Sequence, residues 1–320
     1  SEGDYWWPNP QQPNGPYIQK DGLSNPANFV AHRLAMIRFS HIIGALASAY
    51  KFSGDEKYVK QAARHLQAWF MDKQTRMNPH LRYAQAIMGL HTGRGIGIID
   101  TLHLLDVAQG MMLLQQSAAM GSSTVQGVKA WFASYLEWMT THPYGIAERD
   151  AKNNHGTCWT LQVATFAKLT ANTALLDYCR NRYKTVLLPQ QMDIDGSFPL
   201  ELKRTKPYGY ALFNLEAMAS LCQIASTEQD NLWNFQTKDG KSIEKGIRYM
   251  YPYVLDKSKW PFPQDVMYWE HWPVAPVAFV FASIAFNQSI WMKTWQQLEH
   301  APQEAEVIRN QPIKYPYIWI

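Results

Sequence analysis

Apolar residues recur at steps of three and four along most of the chain, which puts them on one face of an α-helix. The spacing predicts helices over residues 29–50, 55–70, 100–120, 124–141, 155–170, 172–187, 210–226 and 242–253, with two shorter helices after Pro276. Asp55 follows Ser53-Gly54 and is expected to cap the second helix. Alternation typical of β-strands is scarce, so the pattern predicts an all-α protein.

The predicted helices form antiparallel hairpins because short turns join them. About ten helices with a period of roughly 45–50 residues per pair indicate stacked hairpins. No sequence repeat accompanies that period, which argues against a TPR- or HEAT-type solenoid. We therefore predict one α/α-toroid domain over residues 1–320, an incomplete barrel of antiparallel hairpins with a cleft at one end. The polar loops expected at the cleft are residues 73–94, 142–155, 191–209 and 256–275.

An arm of residues 1–26 precedes the first helix and is rich in Pro, Asn, Gly and aromatic residues. Asp21-Gly22 and Asn25-Pro26 are turn signals within it. Because large aromatic side chains are costly to leave in water, we expect Trp6 and Trp7 to cover an edge of the core rather than to reach the cleft.

Composition narrows the classes of function. The 320 residues are 47% hydrophobic and 18% charged, which excludes disorder and allows a sizeable core. The net charge is only +4 and no block of Lys and Arg occurs, so no nucleic-acid partner is expected. The 13 Trp and 17 Tyr favour a ligand cleft of the kind that binds carbohydrate.

Cofactors and compartment follow from other features. Cys158, Cys179 and Cys222 are widely separated and form no metal-ligand or disulfide pattern, so we expect buried thiols, no metal and no other cofactor. The best candidate for a membrane span, residues 274–286, is short and contains a proline, so no membrane insertion is expected. A start at Ser1 without Met fits a processed chain, and we expect a secreted or periplasmic protein.

Acids, bases, amides and an imidazole crowd into residues 148–159, at the start of an apolar helix. Asn153 or Asn154 can cap that helix, where unpaired N–H groups favour a carboxylate, so an anionic substrate is indicated. The alternative is a simple cap, with His155 as an ordinary helix histidine. Asp193 and Asp195 precede Gly196 as in a calcium loop, but the distal Glu is missing, and we expect a turn.

Six short motifs occur in one order along the chain. They are Gly54-Asp55-Glu56-Lys57-Tyr58, Asn78-Pro79-His80 with Tyr83-Ala84-Gln85, Gly93-Arg94-Gly95-Ile96-Gly97, Asn153-Asn154-His155-Gly156, and Asp195-Gly196-Ser197-Phe198-Pro199-Leu200-Glu201 leading to Arg204 and a tyrosine. Over roughly residues 25 to 290 the chain resembles the alginate lyase family of polysaccharide lyases. The resemblance implies an α/α toroid that cleaves a 1,4-linked polyuronate, mannuronate-rich alginate foremost, by β-elimination into 4,5-unsaturated uronate ends.

The resemblance also implies catalytic residues. Asn154 and His155 match the Asn-His pair that contacts the uronate carboxylate and the reacting carbon, and Arg204 matches an arginine near it. Neutralising the carboxylate makes the C5 proton removable, because the developing charge spreads into it.

The catalytic tyrosine is assigned less directly. In the better-known branch of the family it lies seven positions after the arginine, which here is Ala211. We favour Tyr210, which opens the next helix, and keep Tyr208 as the second choice and as a substrate-binding candidate. Tyr210 would take the C5 proton and return it to O4 when both lie on one face of the sugar, as in mannuronate. In guluronate or glucuronate, His155 is the alternative base.

Further substrate-binding candidates are polar or aromatic residues of the loops and of the Asn-Asn-His motif. They are Asn153, Asn78, His80, Tyr83, Gln85, Arg94 and His271. Arginine pairs well with carboxylates, and the alternative for these loop residues is that their hydrogen bonds only anchor the loops.

The sequence leaves other functions open. The substrate could be glucuronan or another polyuronate, and cleavage could be internal or terminal. A glycoside hydrolase or epimerase on a similar toroid and a non-catalytic polysaccharide-binding protein are the rival classes. A hydrolase needs two carboxylates flanking the bond, for which the candidates are Glu148, Asp150, Asp193, Asp195 and Glu201.

Overall fold

The computed structural model describes all 320 residues, and helices dominate it. The first seven helices are α1 Ala31–Ser53, α2 Glu56–Phe70, α3 Leu104–Leu114, α4 Ser122–Thr141, α5 Pro143–Arg149, α6 Asn154–Leu169 and α7 Thr173–Arg182. The others are α8 Leu188–Gln191, α9 Pro199–Leu202, α10 Pro207–Ala225, α11 Ile243–Leu255, α12 Val277–Ala285, α13 Ser289–Gln297 and α14 Ala305–Arg309. Two strands, β1 Trp6–Trp7 and β2 Ile18–Gln19, pair antiparallel within the arm.

Most predicted helix boundaries agree with the structure within a few residues. The cap at Asp55 is confirmed, since its carboxylate accepts the N–H of Lys57 at 2.9 Å. The helix predicted over residues 100–120 is instead a 3₁₀ segment, Gly95–His103, followed by the shorter α3. The arm, for which no strand was predicted, contains the β1–β2 ribbon.

The helices form two layers of an α/α toroid. Helices α1, α3, α6, α10 and α12 contact one another in that order and form the inner layer, while α2, α4, α7, α11 and α13 pack outside them. Fourteen of the sixteen residues of α6 and seventeen of the nineteen of α10 are buried, so these two helices lie at the centre of the core. The fold is the predicted all-α toroid.

The C-terminal segment packs across the inner layer between α12 and α1. Its 3₁₀ turn Pro316–Trp319 contacts α1 and α3, and the rings of Trp319 and Phe281 lie 6.1 Å apart. The indole of Trp319 donates to the buried carboxylate of Asp106 at 2.8 Å. The end of the chain is therefore fixed to the core.

One helical stretch, Gly95–Leu114, is long and apolar enough to cross a membrane by composition, with a mean hydropathy of 1.3. Its apolar window is 72% buried inside the protein, as expected for an inner helix of the toroid. This stretch, rather than residues 274–286, is the one that has the length and composition of a membrane span.

Candidate active site

A cavity of about 120 Å³ opens where the N-termini of α6 and α10 face the arm. All four candidate catalytic residues line it, and so do Gln85 and Arg94 of the 73–94 loop. The full lining is Asp4, Tyr5, Trp6, Gln19, Asp21, Gln85, Arg94, Ile96, Ile99, Asn154, His155, Arg204, Tyr210, Phe213, Arg309 and Asn310. The structure therefore brings the Asn-His pair and the Arg-Tyr pair into one site.

His155 and Tyr210 reach the cavity from α6 and α10, two helices that are otherwise almost completely buried. In α6 the only residues that are not buried are His155 and Lys168, and in α10 they are Tyr210 and Gln223. His155 and Tyr210 both lie in the first turn of their helix, and Lys168 and Gln223 lie near the opposite end. The imidazole and the phenol are therefore presented at the same end of the toroid.

Asn154 is held by Glu201, a carboxylate from α9. The backbone N–H of Asn154 donates to Oε1 of Glu201 at 2.7 Å, and its side-chain Nδ2 donates to Oε2 at 2.8 Å. Asn153 occupies the cap position but makes no side-chain capping bond. Glu201 thus supplies the carboxylate that the N-terminus of α6 favours. The second hydrogen on Nδ2 of Asn154 is left for a ligand.

His155 is paired with a second buried carboxylate. Its Nδ1 lies 2.6 Å from Oε1 of Glu148, a residue of α5 that is 1% exposed. Burial alone would lower the pKa of His155, but the charge of Glu148 and its hydrogen bond outweigh burial and raise that pKa. The imidazole is therefore biased towards its cationic form, with Nε2–H free to donate.

Arg204 is clamped by the arm and stacked on the candidate tyrosine. Its guanidinium donates to both oxygens of Asp21, at 2.8 and 3.3 Å, and lies 4.5 Å from the ring centroid of Tyr210. Gly22 forms the turn beside this contact, with φ of 78°, and a Cβ there would lie 2.4 Å from Oγ1 of Thr205. The turn signal at Asp21-Gly22 therefore positions an active-site arginine.

Tyr210 makes its hydrogen bond with another tyrosine. The hydroxyl oxygens of Tyr210 and Tyr5 lie 2.7 Å apart, and the Tyr5 hydroxyl also donates to Oε1 of Glu306 at 3.3 Å. Burial raises the pKa of Tyr210 well above its usual value, while Arg204 and the hydrogen bond from Tyr5 act in the opposite direction. The phenol is therefore protonated in the free enzyme at neutral pH.

A buried ionic network supports the floor of the cavity. Asp4 of the arm pairs with Arg33 of α1 at 2.6 Å and with Arg309 of α14 at 3.0 Å. Arg309 also lies 3.2 Å from Glu306 and 3.5 Å from Asp100. Because both ends of the chain contribute charges, the network joins the arm and the C-terminal region to the toroid.

The predicted loop residues Gln85 and Arg94 both line the cavity and anchor the loop. Arg94 donates from Nε to the backbone oxygen of Gln85 at 2.8 Å, and its guanidinium lies 5.6 Å from the ring of Trp6. Arg94 takes part in no ion pair, whereas the guanidinium groups of Arg204 and Arg309 are each paired with carboxylates. Arg94 is therefore the cavity arginine most available to a ligand carboxylate.

Three other substrate-binding candidates line a separate cavity of about 560 Å³ beside the first. Asn78, His80 and Tyr83 lie there with Trp69 and the cationic side chains of Arg33 and Arg76. Tyr83 is 69% exposed, and buried nitrogens of His80 and Trp69 lack hydrogen-bond partners. The second cavity is thus lined by aromatic rings and cationic side chains.

The remaining candidates lie outside both cavities. Tyr208 is fully buried, and its hydroxyl donates to the carbonyl of Tyr253 at 3.1 Å, because it lies on the core side of the same helical turn as Tyr210. Asn153 offers its carbonyl to Gln191. His271 is exposed on a 3₁₀ turn and forms part of neither the cleft wall nor the core. These positions do not fit the expected contacts with substrate.

Sequence reasoning missed the arm as a part of the site. Tyr5, Trp6, Gln19 and Asp21 line the cavity, so the expectation that Trp6 only covers a core edge is wrong. The density of aromatic residues in the arm was the available signal. The pairing of Tyr5 with Tyr210 leaves no local pattern, because the two residues lie 205 positions apart. Glu148 and Glu201 were considered only as hydrolase acids, and in the structure each supports a neighbouring polar side chain instead.

The structure provides no cluster of three or more His, Cys, Asp or Glu residues suited to hold a metal ion. Asp195 accepts the N–H of Ser197 and Asp193 that of Ile194, which is the geometry of a turn. The three cysteines are free and buried.

Comparison with known proteins places this geometry in a family. The alginate lyase family model matches residues 1–260. The crystal structure of an alginate lyase from Bacteroides ovatus is 34% identical and superposes with a TM-score of 0.86, covering 100% of this chain and 83% of that one. Comparison with curated proteins gave no match.

Two structures of alginate lyase A1-III complexed with tetrasaccharide share the fold at 14% identity. The histidine-to-alanine variant superposes with a TM-score of 0.58 over 81% of this chain and 69% of that one, and the tyrosine-to-phenylalanine variant with 0.54 over 78% and 68%. The family match and the 34% identical structure together establish that the chain belongs to the alginate lyase family of polysaccharide lyases.

Proposed function

We propose that this lyase cleaves mannuronate-rich alginate by β-elimination and leaves a 4,5-unsaturated uronate on one product. The observation that carries the proposal is the convergence of Asn154, His155, Arg204 and Tyr210 on one cavity. Membership of the alginate lyase family and the alginate lyase from Bacteroides ovatus support the substrate class.

The first requirement of the reaction is to neutralise the C5 carboxylate of the uronate. Asn154 has one free amide hydrogen, and Nε2–H of cationic His155 adds a charged donor on the same helical turn. Arg204 contributes positive charge beside them. These donors stabilise the charge that moves into the carboxylate when the C5–H bond breaks, which lowers the barrier to proton removal.

Tyr210 serves as base and then as acid. The Tyr210 phenol first releases its proton to solvent in the substrate complex, where the charge of Arg204 favours the phenolate. The phenolate takes the C5 proton, the C5–H electrons form the C4=C5 double bond, and the C4–O4 bond breaks with its electron pair moving to O4. The hydroxyl of Tyr210 then gives the same proton to O4 of the leaving sugar, so Tyr210 is again the phenolate that began the step. Each well-placed proton transfer contributes about 10²–10⁴ in rate.

The state of His155 supports mannuronate as the substrate. In mannuronate the C5 proton and O4 lie on one face of the ring, so one group can serve both transfers. When the C5 proton and O4 lie on opposite faces, a second base is needed, and the pair with Glu148 makes His155 a poor one because it raises the pKa of the imidazole. Tyr210 is then the single base at the cavity.

The carboxylates of the cavity argue against a hydrolase. Asp4 and Asp21 are its only acidic lining residues, and both are engaged with arginines. Neither Asp150, Asp193 nor Asp195 lines the cavity, and Glu148 and Glu201 are buried behind His155 and Asn154. A pair of free carboxylates that could flank a glycosidic bond is absent.

The second cavity supports binding of sugar units away from the cleavage point. Tyr83 offers an exposed aromatic face, Arg76 supplies positive charge, and the rings of His80 and Trp69 complete the lining. We propose that Asn78, His80 and Tyr83 bind remote uronates of the same polymer.

The test is the ultraviolet absorbance of the unsaturated product. Purified enzyme is mixed separately with polymannuronate, polyguluronate and glucuronan, beside Tyr210→Phe and His155→Ala variants. We expect absorbance to rise fastest on polymannuronate and to be lost with Tyr210→Phe. A faster rise on glucuronan would reassign the polymer, and no rise on any polymer would overturn the proposal.

A further inference from the structure

Three Lys and Arg side chains are buried in this protein, and one of them has no carboxylate partner. Arg33 is 6% exposed and pairs with Asp4, and Lys206 is 4% exposed and pairs with Glu306. Arg182, the last residue of α7, is 9% exposed and takes part in no ion pair. Because a buried charge without a counter-ion is costly, an anion beside Arg182 would stabilise the fold.

The guanidinium of Arg182 also has unused hydrogen-bond donors. Only its Nη2 donates a hydrogen bond, to the carbonyl oxygen of Arg149, and its Nε is buried without a partner. A guanidinium carries five N–H donors in one plane, in a geometry that matches carboxylate and phosphate oxygens. Most of these donors are therefore left for a ligand.

Arg182 lines a third cavity, of about 160 Å³, which shares no residue with the two cavities described above. Lys152 and Gln190 lie at its rim with exposed side chains, so they can turn towards a ligand. The volume is several times what one water molecule needs, so a small oxyanion fits. The full lining is Asp150, Ala151, Lys152, Arg182, Val186, Gln190 and Gln191.

The one acidic residue of this lining is already paired. Asp150 is held by Arg149, whose Nε and Nη2 donate to its two carboxylate oxygens at 2.8 Å each. These hydrogen bonds and the charge of Arg149 lower the pKa of Asp150, and the charge of Arg182 adds to the effect. Asp150 thus compensates Arg149, and the positive charges of Arg182 and Lys152 remain for a ligand.

We propose that Arg182 and Lys152 form an oxyanion-binding site that takes a carboxylate or a phosphate group. A uronate of the polymer and free inorganic phosphate offer the same chemistry here, because each presents two oxygens to the fork of an arginine. Gln190 supplies a neutral donor at the rim.

The site lies behind the turn of α6 that carries Asn154 and His155. Gln191 of the lining donates to the carbonyl oxygen of Asn153 at 3.0 Å, so the third cavity adjoins the segment that leads into this turn. A bound oxyanion therefore contacts the chain next to the catalytic residues without entering the cavity that Asn154 and His155 line.

The test is thermal unfolding of the full chain in increasing sodium phosphate, with sodium chloride at equal ionic strength as the reference. A ligand that binds only the folded state raises Tm in proportion to its occupancy, and we expect about 1–3 °C at ten times Kd. Free mannuronate, which has no glycosidic bond at O4 to cleave, is the second probe. A rise with phosphate alone identifies a free inorganic ligand, and a rise with mannuronate identifies a uronate carboxylate.

Variants locate the bound anion. Arg182→Gln should weaken binding about tenfold or more, the factor of a hydrogen bond to a charged group. Lys152→Ala changes an exposed side chain, so it decides the matter if Arg182→Gln does not fold, and it should weaken binding about twofold to fivefold. Lys60→Ala on the exposed face of α2 is the matched control and should bind as the wild type does.

For mannuronate, only the part of the rise that Lys152→Ala reduces is assigned to this site, because the catalytic cavity can bind the same sugar. The absence of a saturable rise with either probe would overturn the proposal. Wild-type affinity in Lys152→Ala, or in a folded Arg182→Gln variant, would overturn it as well.

Discussion

Nδ1 of His155 lies 2.6 Å from Oε1 of Glu148, and this pair fixes both the charge and the direction of the imidazole. Glu148 is 1% exposed, and it makes no other hydrogen bond, so the His155 proton is its main compensation for burial. Nε2 then faces the cavity with a proton. The contact thus raises the pKa of His155 and favours the cationic donor over the neutral imidazole.

Replacing Glu148 by Gln should lower the pKa of His155, since burial would then dominate. His155 would lose its charge as the pH rises through a lower value, so we expect kcat at neutral pH to fall about 10- to 100-fold. The ratio of variant to wild-type kcat should recover as the pH is lowered from about 8 to 6. Glu137→Gln on the exposed face of α4 is the control, and a ratio that is constant with pH would contradict the role.

Glu201→Gln tests how Asn154 is oriented. A Gln amide has only one acceptor for the two donors of Asn154, so one donor loses its partner or the Asn154 amide turns over. We expect kcat to fall about 100-fold and the free energy of unfolding to fall by about 1–3 kcal/mol. Kinetics and urea denaturation measure the two effects. Wild-type kcat in a folded variant would show that this hydrogen bond does not orient a catalytic group.

Arg204→Lys tests whether the guanidinium shape is needed as well as its charge. Lysine cannot bind both oxygens of Asp21 and stack on Tyr210 at once. We expect kcat to fall about 10- to 100-fold on polymannuronate. Arg248→Lys, at an exposed ion pair with Glu244, is the matched control. Equal loss in both variants would point to a general effect on the fold.

Tyr83→Ala tests the second cavity. If Tyr83 binds remote uronates, KM for long polymer should rise about threefold to tenfold, while activity on the shortest substrate that is cleaved stays constant. Phe52→Ala removes another exposed aromatic that lines neither cavity and should change neither value. A loss that is the same for short and long substrates would remove the second cavity from the binding path.

Glu216 provides a test of stability rather than activity. It is buried in α10 with an unpartnered oxygen, and burial raises its pKa to about 8. The folded state therefore holds a proton that the unfolded chain releases above about pH 4.5, so this group destabilises the fold as the pH rises towards 8. Glu216→Gln should be more stable than the wild type by about 1–3 kcal/mol near pH 8 and similar near pH 5. Equal stabilities at both pH values would contradict the assignment.

The toroid could be predicted because helical periodicity is local. The rows of apolar residues fixed most helices, and the Asp55 cap needed only the neighbouring turn. The choice between Tyr208 and Tyr210 was different, because two residues at the start of one helix face opposite sides and only the packing decides which faces the cavity. The resemblance limited the choice, and burial of Tyr208 against Trp260 and Trp269 explains its exclusion from the cavity.

The contacts that orient the site residues could not be predicted from the sequence for a related reason. Glu201 lies 47 positions from Asn154, and Tyr5 lies 205 positions from Tyr210. Neither pair leaves a periodic pattern, because each depends on the register in which separate helices and the arm pack. The residue types at the site could be predicted, whereas the contacts that orient them required the tertiary structure.

The pairing of Asp4 with Arg309 has a consequence for biosynthesis. These residues lie more than 300 positions apart, both line the cavity, and Asp4 also pairs with Arg33 of α1. Contacts of such long sequence separation form late, because the intervening chain must already be ordered. A nascent chain on the ribosome therefore carries the helices of the toroid before it has a working cavity, and enzymatic activity should emerge only once α14 has left the ribosome and docked.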